Sequence, residues 1–119
     1  MKDATKMLKQ ARIDLANGWT QGCYARDQED RWVKVTDPSA CKWCLSGALN
    51  LAYARAPIED MELRYRTFES ATGTIAWLLQ SEPLADWNDK KGRTQEEVLE
   101  LVDQAIAIHE QEESTCSTR

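Results

Sequence analysis

Between residues 41 and 52 a stripe of apolar residues falls at i, i+3, i+4, i+7, i+8 and i+11: Cys41, Cys44, Leu45, Ala48, Leu49 and Ala52. That spacing belongs to a helix face turned into a core. A helix with so broad an apolar face must be covered by other elements, so the segment constrains the fold more than any other. Its Cys-x-x-Cys pair suggests a metal site or redox dithiol when taken alone. On this stripe both sulfurs read as packing, because free cysteine behaves as a small, readily buried hydrophobe. Asp37 is placed to cap the helix, with Pro38 at the first helical position, where its missing N–H is no loss. Pro57 sets the far end near Ala54.

The flanking segments are also mainly helical. Residues 3–17 carry an apolar line (Met7, Leu8, Ala11, Leu15) and a basic line (Lys2, Lys6, Lys9, Arg12), and Asn17-Gly18 is a stop signal. Residues 22–35 read as a β-hairpin, with Cys23–Arg26 and Arg31–Val35 extended around the turn Asp27–Asp30. A third helix fits residues 60–80, with Met61, Tyr65, Phe68, Ile75 and Leu79 inward. Gly73 in its interior suggests a kink or a close helix contact. Residues 83–93 form a polar connector. Thr94 and Glu97 form a capping box that opens a last helix reaching about Glu110, with Val98, Leu101 or Val102, Ala105 and Ile108 inward. The expected fold is α+β and mostly α: four helices packed together with one small hairpin. Residues 1–112 are expected to form one domain and residues 113–119 a disordered tail.

The chain has 119 residues, 42% hydrophobic and 29% charged, with no run near the ~20 apolar residues of a membrane span. Four cysteines behind a charged, amphipathic N-terminus point to the cytoplasm and reduced thiols. The net charge of −5 is concentrated late. Glu96, Glu97, Glu100, Asp103, Glu110, Glu112 and Glu113 share a stretch without Lys or Arg, while the preceding part is nearly neutral. Without a broad basic surface, direct nucleic-acid binding is disfavoured. The acids on the last helix can be matched within the chain if it packs beside the basic line of the first.

Catalytic and metal chemistry find little support. A closed zinc site needs four Cys or His ligands; the chain offers Cys23, Cys41, Cys44, Cys116 and His109, without a second paired motif. A cysteine nucleophile would need a base, and His109, in an acidic helix, reads as a solvated surface residue. No catalytic residue, metal or cofactor is therefore expected. Two polar connectors are better candidates for binding: Trp19 and Gln21 followed by Arg26, and Trp87, Asn88 and Asp89 followed by Arg93. Both set a Trp beside amide and charged groups. The competing reading is structural, with Asx turns, a helix cap and indoles anchoring loops.

Taken in order, the blocks Gly18-Trp19-Thr20-Gln21-Gly22 with Ala25-Arg26-Asp27, Trp43-Cys44 with Gly47-Ala48-Leu49, and Trp87-Asn88-Asp89 with Gly92-Arg93-Thr94 and Glu97-Val98 resemble a family of small uncharacterised bacterial and phage proteins, a domain of unknown function. The resemblance spans residues 7–108. It implies no activity, cofactor or catalytic residue. Its pattern holds a cysteine at Cys44 but none at Cys23, Cys41 or Cys116, which further weakens a zinc or dithiol reading.

The function expected is that of a cytoplasmic binding or accessory protein, its partner a protein or small molecule, with Trp19 and Asn88 in one surface cleft. A homodimer through an exposed helix face fits the pattern. Two alternatives stand beside it. One is a small hydrolase or transferase using Cys44 or the Asp89/Arg93 pair. The other is an inhibitor presenting Glu96, Glu100 and Asp103 to a basic partner.

Overall fold

The computed structural model describes residues 2–117, with side chains through residue 114. Five helices and one two-stranded antiparallel sheet follow in the order α1 (Lys2–Asn17), β1 (Ala25–Arg26), β2 (Lys42–Trp43), α2 (Leu45–Arg55), α3 (Met61–Leu78), α4 (Leu84–Asn88) and α5 (Gln95–Ser117). The molecule is α+β and mostly α. The helix beyond the four expected is α4, a short turn within the polar connector. None of the described helices is long and apolar enough to cross a membrane.

The first helix, α1, is the hub. Ala4, Met7, Leu8, Ala11 and Leu15 are all buried, and the helix packs against α2, α3, α5 and β2. Ala4 and Ala11 bring neighbouring backbones close, while the leucines fill the space between them. Opposite them stand Leu45, Ala48, Leu49, Leu51 and Ala52 of α2, and Val98, Leu101, Val102, Ala105 and Ile106 of α5. Burying each large aliphatic side chain contributes about 1.5–3 kcal/mol.

The two terminal helices lie antiparallel. Gln95 Nε2 donates to the Leu15 carbonyl at 2.7 Å, Arg12 forms a forked pair with Asp103, Lys9 pairs with Glu110 at 3.0 Å, and Thr5 bonds Glu113 at 3.0 Å. The basic line of α1 thus meets acids of α5 within the chain. The capping box also forms: Thr94 N donates to Glu97 Oε1 at 2.9 Å and Glu97 N to Thr94 Oγ1 at 3.2 Å. The helix continues past residue 110 to Ser117, through most of the segment expected as a tail; residues 118 and 119 lie outside the described part.

Other local expectations are corrected. The second helix begins at Leu45, not Pro38, and its N-cap is Cys44, whose Sγ accepts from Gly47 N at 3.2 Å. Asp37 spends its carboxylate on an Asx turn, accepting from Ser39 N and Oγ at 2.8 and 2.6 Å. The chain then runs extended, because Cys41 N bonds the Arg26 carbonyl and Trp43 N the Gly18 carbonyl. Cys41 therefore lies outside the helix and is half-buried, while Cys44 is buried.

The expected hairpin shrinks for the same reason. The loop after Asp27 does return, giving an Arg26–Trp32 bridge and a Val33 N to Ala25 O bond, with Asp30 at φ 62° in place of a turn glycine. The sheet partner of β1, however, is β2, with Ala25 opposite Trp43 and Arg26 opposite Lys42.

Helix α3 turns Ile75, Phe68 and Leu79 toward the core as expected, but not Met61 and Tyr65. Thr67, Ala71 and Ile75 are buried, whereas Met61 and Tyr65 are 62% and 53% exposed; Phe68 is half-buried and packs edge-on to Tyr53. A Cβ on Gly73 would meet nothing within 4 Å, so no close helix contact occurs there. The close approaches are at Gly47, where a Cβ would overlap the Tyr24 carbonyl, and at Gly18, where it would overlap the Cys41 carbonyl. Gly18 ends α1 by lacking a side chain, and not by a left-handed conformation. His109 is also misplaced by the sequence pattern: it is 3% exposed, with Nε2 2.8 Å from Thr74 Oγ1. Thr74 Oγ1 also reaches the Ser70 carbonyl at 3.1 Å, and the buried His109 Nδ1 has no hydrogen-bond partner among the described residues.

Candidate functional site

The two polar connectors meet around Asn88, which is fully buried at the end of α4. Its Oδ1 accepts from Trp19 Nε1 at 2.8 Å and from Leu45 N at 3.0 Å. Its Nδ2 donates to the Thr20 carbonyl at 3.1 Å and to Asp89 Oδ1 at 2.9 Å. Both carboxamide hydrogens and both oxygen lone-pair directions are used. One side chain thereby joins the loop after α1, an otherwise unpaired N–H in the first turn of α2, and the end of α4.

The surrounding residues extend this network. Gln21 Nε2 donates to the carbonyls of Asn88 and Lys90 at 2.9 and 3.1 Å, and Gly22 N donates to Asp89 Oδ1 at 2.9 Å. Arg26 clasps its own loop, donating to Thr20 Oγ1, the Gln21 carbonyl and the Asp30 carbonyl at 2.9–3.1 Å. Arg93 lies over the Trp87 ring at 3.9 Å, donates to the Trp87 carbonyl at 2.9 Å and reaches Glu97. Trp19, Gln21, Arg26, Trp87, Asn88, Asp89 and Arg93 are thus brought together. The Trp19–Asn88 contact is a sealed junction, however, and not the open cleft expected.

One hollow borders the junction, and a second shares Tyr24 with the first. The first, of about 170 Å³, is lined by Gly22, Cys23, Tyr24, Cys44, Ala85 and Asp89. Burial pushes the Cys44 thiol up, against the smaller opposing effect of the Gly47 and Ser46 backbone N–H groups, so it is a poor thiolate nucleophile. Asp89 and Arg93 are each held by other partners and make no ion pair with one another among the described residues. The other hollow is an open groove of about 780 Å³ beside Tyr24, Trp32, Val33 and Lys34. Tyr24 is 60% and Trp32 72% exposed. Sequence reasoning did not place Trp32 in a site; its signal was a large aromatic in a short segment whose strand pairing amounts to a single bridge. Among the described residues, no three His, Cys, Asp or Glu side chains converge in a way that could hold a metal ion.

The fold and the Asn88 junction define a small helical protein built on a central N-terminal helix, with its connectors stitched into one polar knot. This chain belongs to the family of unknown function DUF6197, which it matches over residues 1–108. Comparison with curated proteins and with solved structures found no match.

Proposed function

We propose that this protein is a binding or accessory module, in which the Asn88 knot holds the Trp-bearing connectors and the Tyr24–Trp32 groove makes the contact. One observation carries the reading. The polar groups of the connectors are consumed by one another, while the large aromatic side chains of Tyr24 and Trp32 stay in solvent around an open groove. Exposed Tyr and Trp on a fixed frame are the residues that dominate protein contacts, because they offer large area at low entropic cost. Trp19, Gln21, Arg26, Trp87, Asn88, Asp89 and Arg93 act in this reading as the support of the contact surface. The module works in the cytoplasm with its thiols reduced, and residues 1–112 act as one domain. Catalysis by Cys44 or by Asp89 and Arg93 is disfavoured by the burial of the first and the structural engagement of the others.

The test is recovery of partners from the native cell extract on tagged protein, comparing wild type with a Tyr24→Ser/Trp32→Ser double variant. The expected result is stoichiometric capture by wild type, lost in the variant while its circular dichroism and melting temperature are retained. Capture that survives the double substitution, or that depends on the Cys44 thiol, overturns the reading.

A further inference from the structure

A third hollow, remote in sequence from the Tyr24–Trp32 groove, lies where α1, the end of α2 and the start of α3 meet, and it encloses about 630 Å³. This is within the range of small-molecule sites, roughly 300–1,000 Å³. Its apolar walls are formed by Met7 of α1, Pro57 and Ile58 of the α2–α3 link, and Leu63 of α3, with Gln10 of α1 as a polar neighbour. Two cations, Lys6 of α1 and Arg55 of α2, also line it.

Those cations differ from the others on α1. Lys9 and Arg12 are matched to Glu110 and Asp103 of α5, whereas Lys6 and Arg55 stand in no ion pair among the described residues, although Arg55 attracts the buried Asp14. The acids near them are Asp3, which lines the hollow, and Asp14, which is buried one turn beyond Gln10 and does not line it. The lining therefore carries one net positive charge on a protein whose overall charge is −5. A chamber with apolar walls and two cations that form no ion pair among the described residues suits an anionic group attached to an apolar body.

We infer that this hollow is a binding site for a small amphipathic acid, its apolar body of roughly six to ten carbons resting on Met7, Ile58 and Leu63 and its carboxylate held by Lys6 and Arg55. The site is independent of the proposed contact groove and would serve as a ligand input to the same fold.

The test is an NMR titration of the full chain with octanoate, octanol and octylammonium, each below its micellar concentration. Octanoate is expected to shift the Met7 methyl and Leu63 amide signals saturably, with octanol about tenfold weaker and octylammonium without effect. Lys6→Gln and Arg55→Gln should each weaken octanoate about tenfold and leave octanol unchanged. Lys91→Gln, which removes an exposed cation elsewhere, should change nothing. Ala56→Leu, which fills the chamber from its rim, should abolish octanoate binding at an unchanged fold. The inference is overturned if octanoate gives no saturable shift, if octanol binds as tightly, if the two cation variants bind octanoate normally, or if the shifts map elsewhere.

Discussion

Asn88 shows how much one buried carboxamide can organise. Replacing it with Ala would leave the Trp19 indole N–H and the Leu45 N–H without acceptors in a closed site, and would release Asp89 and the Thr20 carbonyl. An Asn88→Ala variant should lose about 3 kcal/mol or more in urea unfolding, because each stranded buried group costs about 1–3 kcal/mol. Two glycines should respond in opposite directions to the same change. Gly47→Ala drives a methyl into the Tyr24 carbonyl and should destabilise by roughly 1–3 kcal/mol. Gly73→Ala faces open space within a helix and should stabilise by about 1 kcal/mol. Asp14 offers a pH-dependent case. Desolvation by burial raises its carboxyl above the ordinary value, outweighing a bond from Gln10 and the attraction of Arg55, and its Oδ2 has no partner among the described residues. A raised carboxyl contributes stability below the unfolded value of about 3.9, and that contribution is lost as pH rises through the folded value. Asp14→Asn should therefore be more stable than wild type at neutral pH, with the advantage vanishing near pH 3, as read from melting curves across that range.

At the level of elements, the segment from Asp27 to Lys42 is held largely by carboxylates. Backbone N–H donation from Arg31 holds Asp27 below its usual range, a bond from Lys42 does the same for Asp30, and the Ser39 hydroxyl and N–H do so for Asp37. Depressed carboxyls contribute stability above the unfolded value and lose it as pH falls through the folded one. Amide exchange in residues 27–42 should accordingly quicken below about pH 4 before that of α1 or α5 changes. The same segment explains what could be read from the chain and what could not. Helix α1, the Thr94–Glu97 box and the pairing of basic with acidic helices were legible, because each depends on residues within a few turns or on simple charge matching. The start of α2 was not. Asp37-Pro38 has every local mark of a helix start, but the extended run from Cys41 to Trp43 satisfies its backbone against Gly18, Tyr24 and Arg26, far back in the chain. Asn88 likewise reads locally as an Asx-turn residue, whereas its partners Thr20 and Leu45 are 68 and 43 residues distant. The inward face of α3 was legible only in part, because Met61 and Tyr65 lie along a face that the placement of α1 leaves uncovered.

Across the whole molecule, α1 touches α2, α3 and α5, so no group of helices keeps its core without it. Leu8→Ala should cost about 2–5 kcal/mol and lower the melting of all helices together, seen as a single transition by circular dichroism and by tryptophan fluorescence. The acidic surface of α5 is partly committed at this scale too. Asp103 and Glu110 face Arg12 and Lys9, which leaves only Glu96 and Glu100 of the three acids an inhibitor would present and weakens the case for one that displays this helix. The antiparallel docking of the terminal helices has a further consequence during synthesis. Thr5 finds Glu113 only 108 positions later, and Leu15 waits 80 positions for Gln95. A ribosome adding about 5–20 residues each second leaves that flank of the first helix bare for roughly 5–20 seconds. The nascent polypeptide, more than the finished protein, is then the form that chaperones must shield, and a translational pause before residue 95 would prolong its exposure.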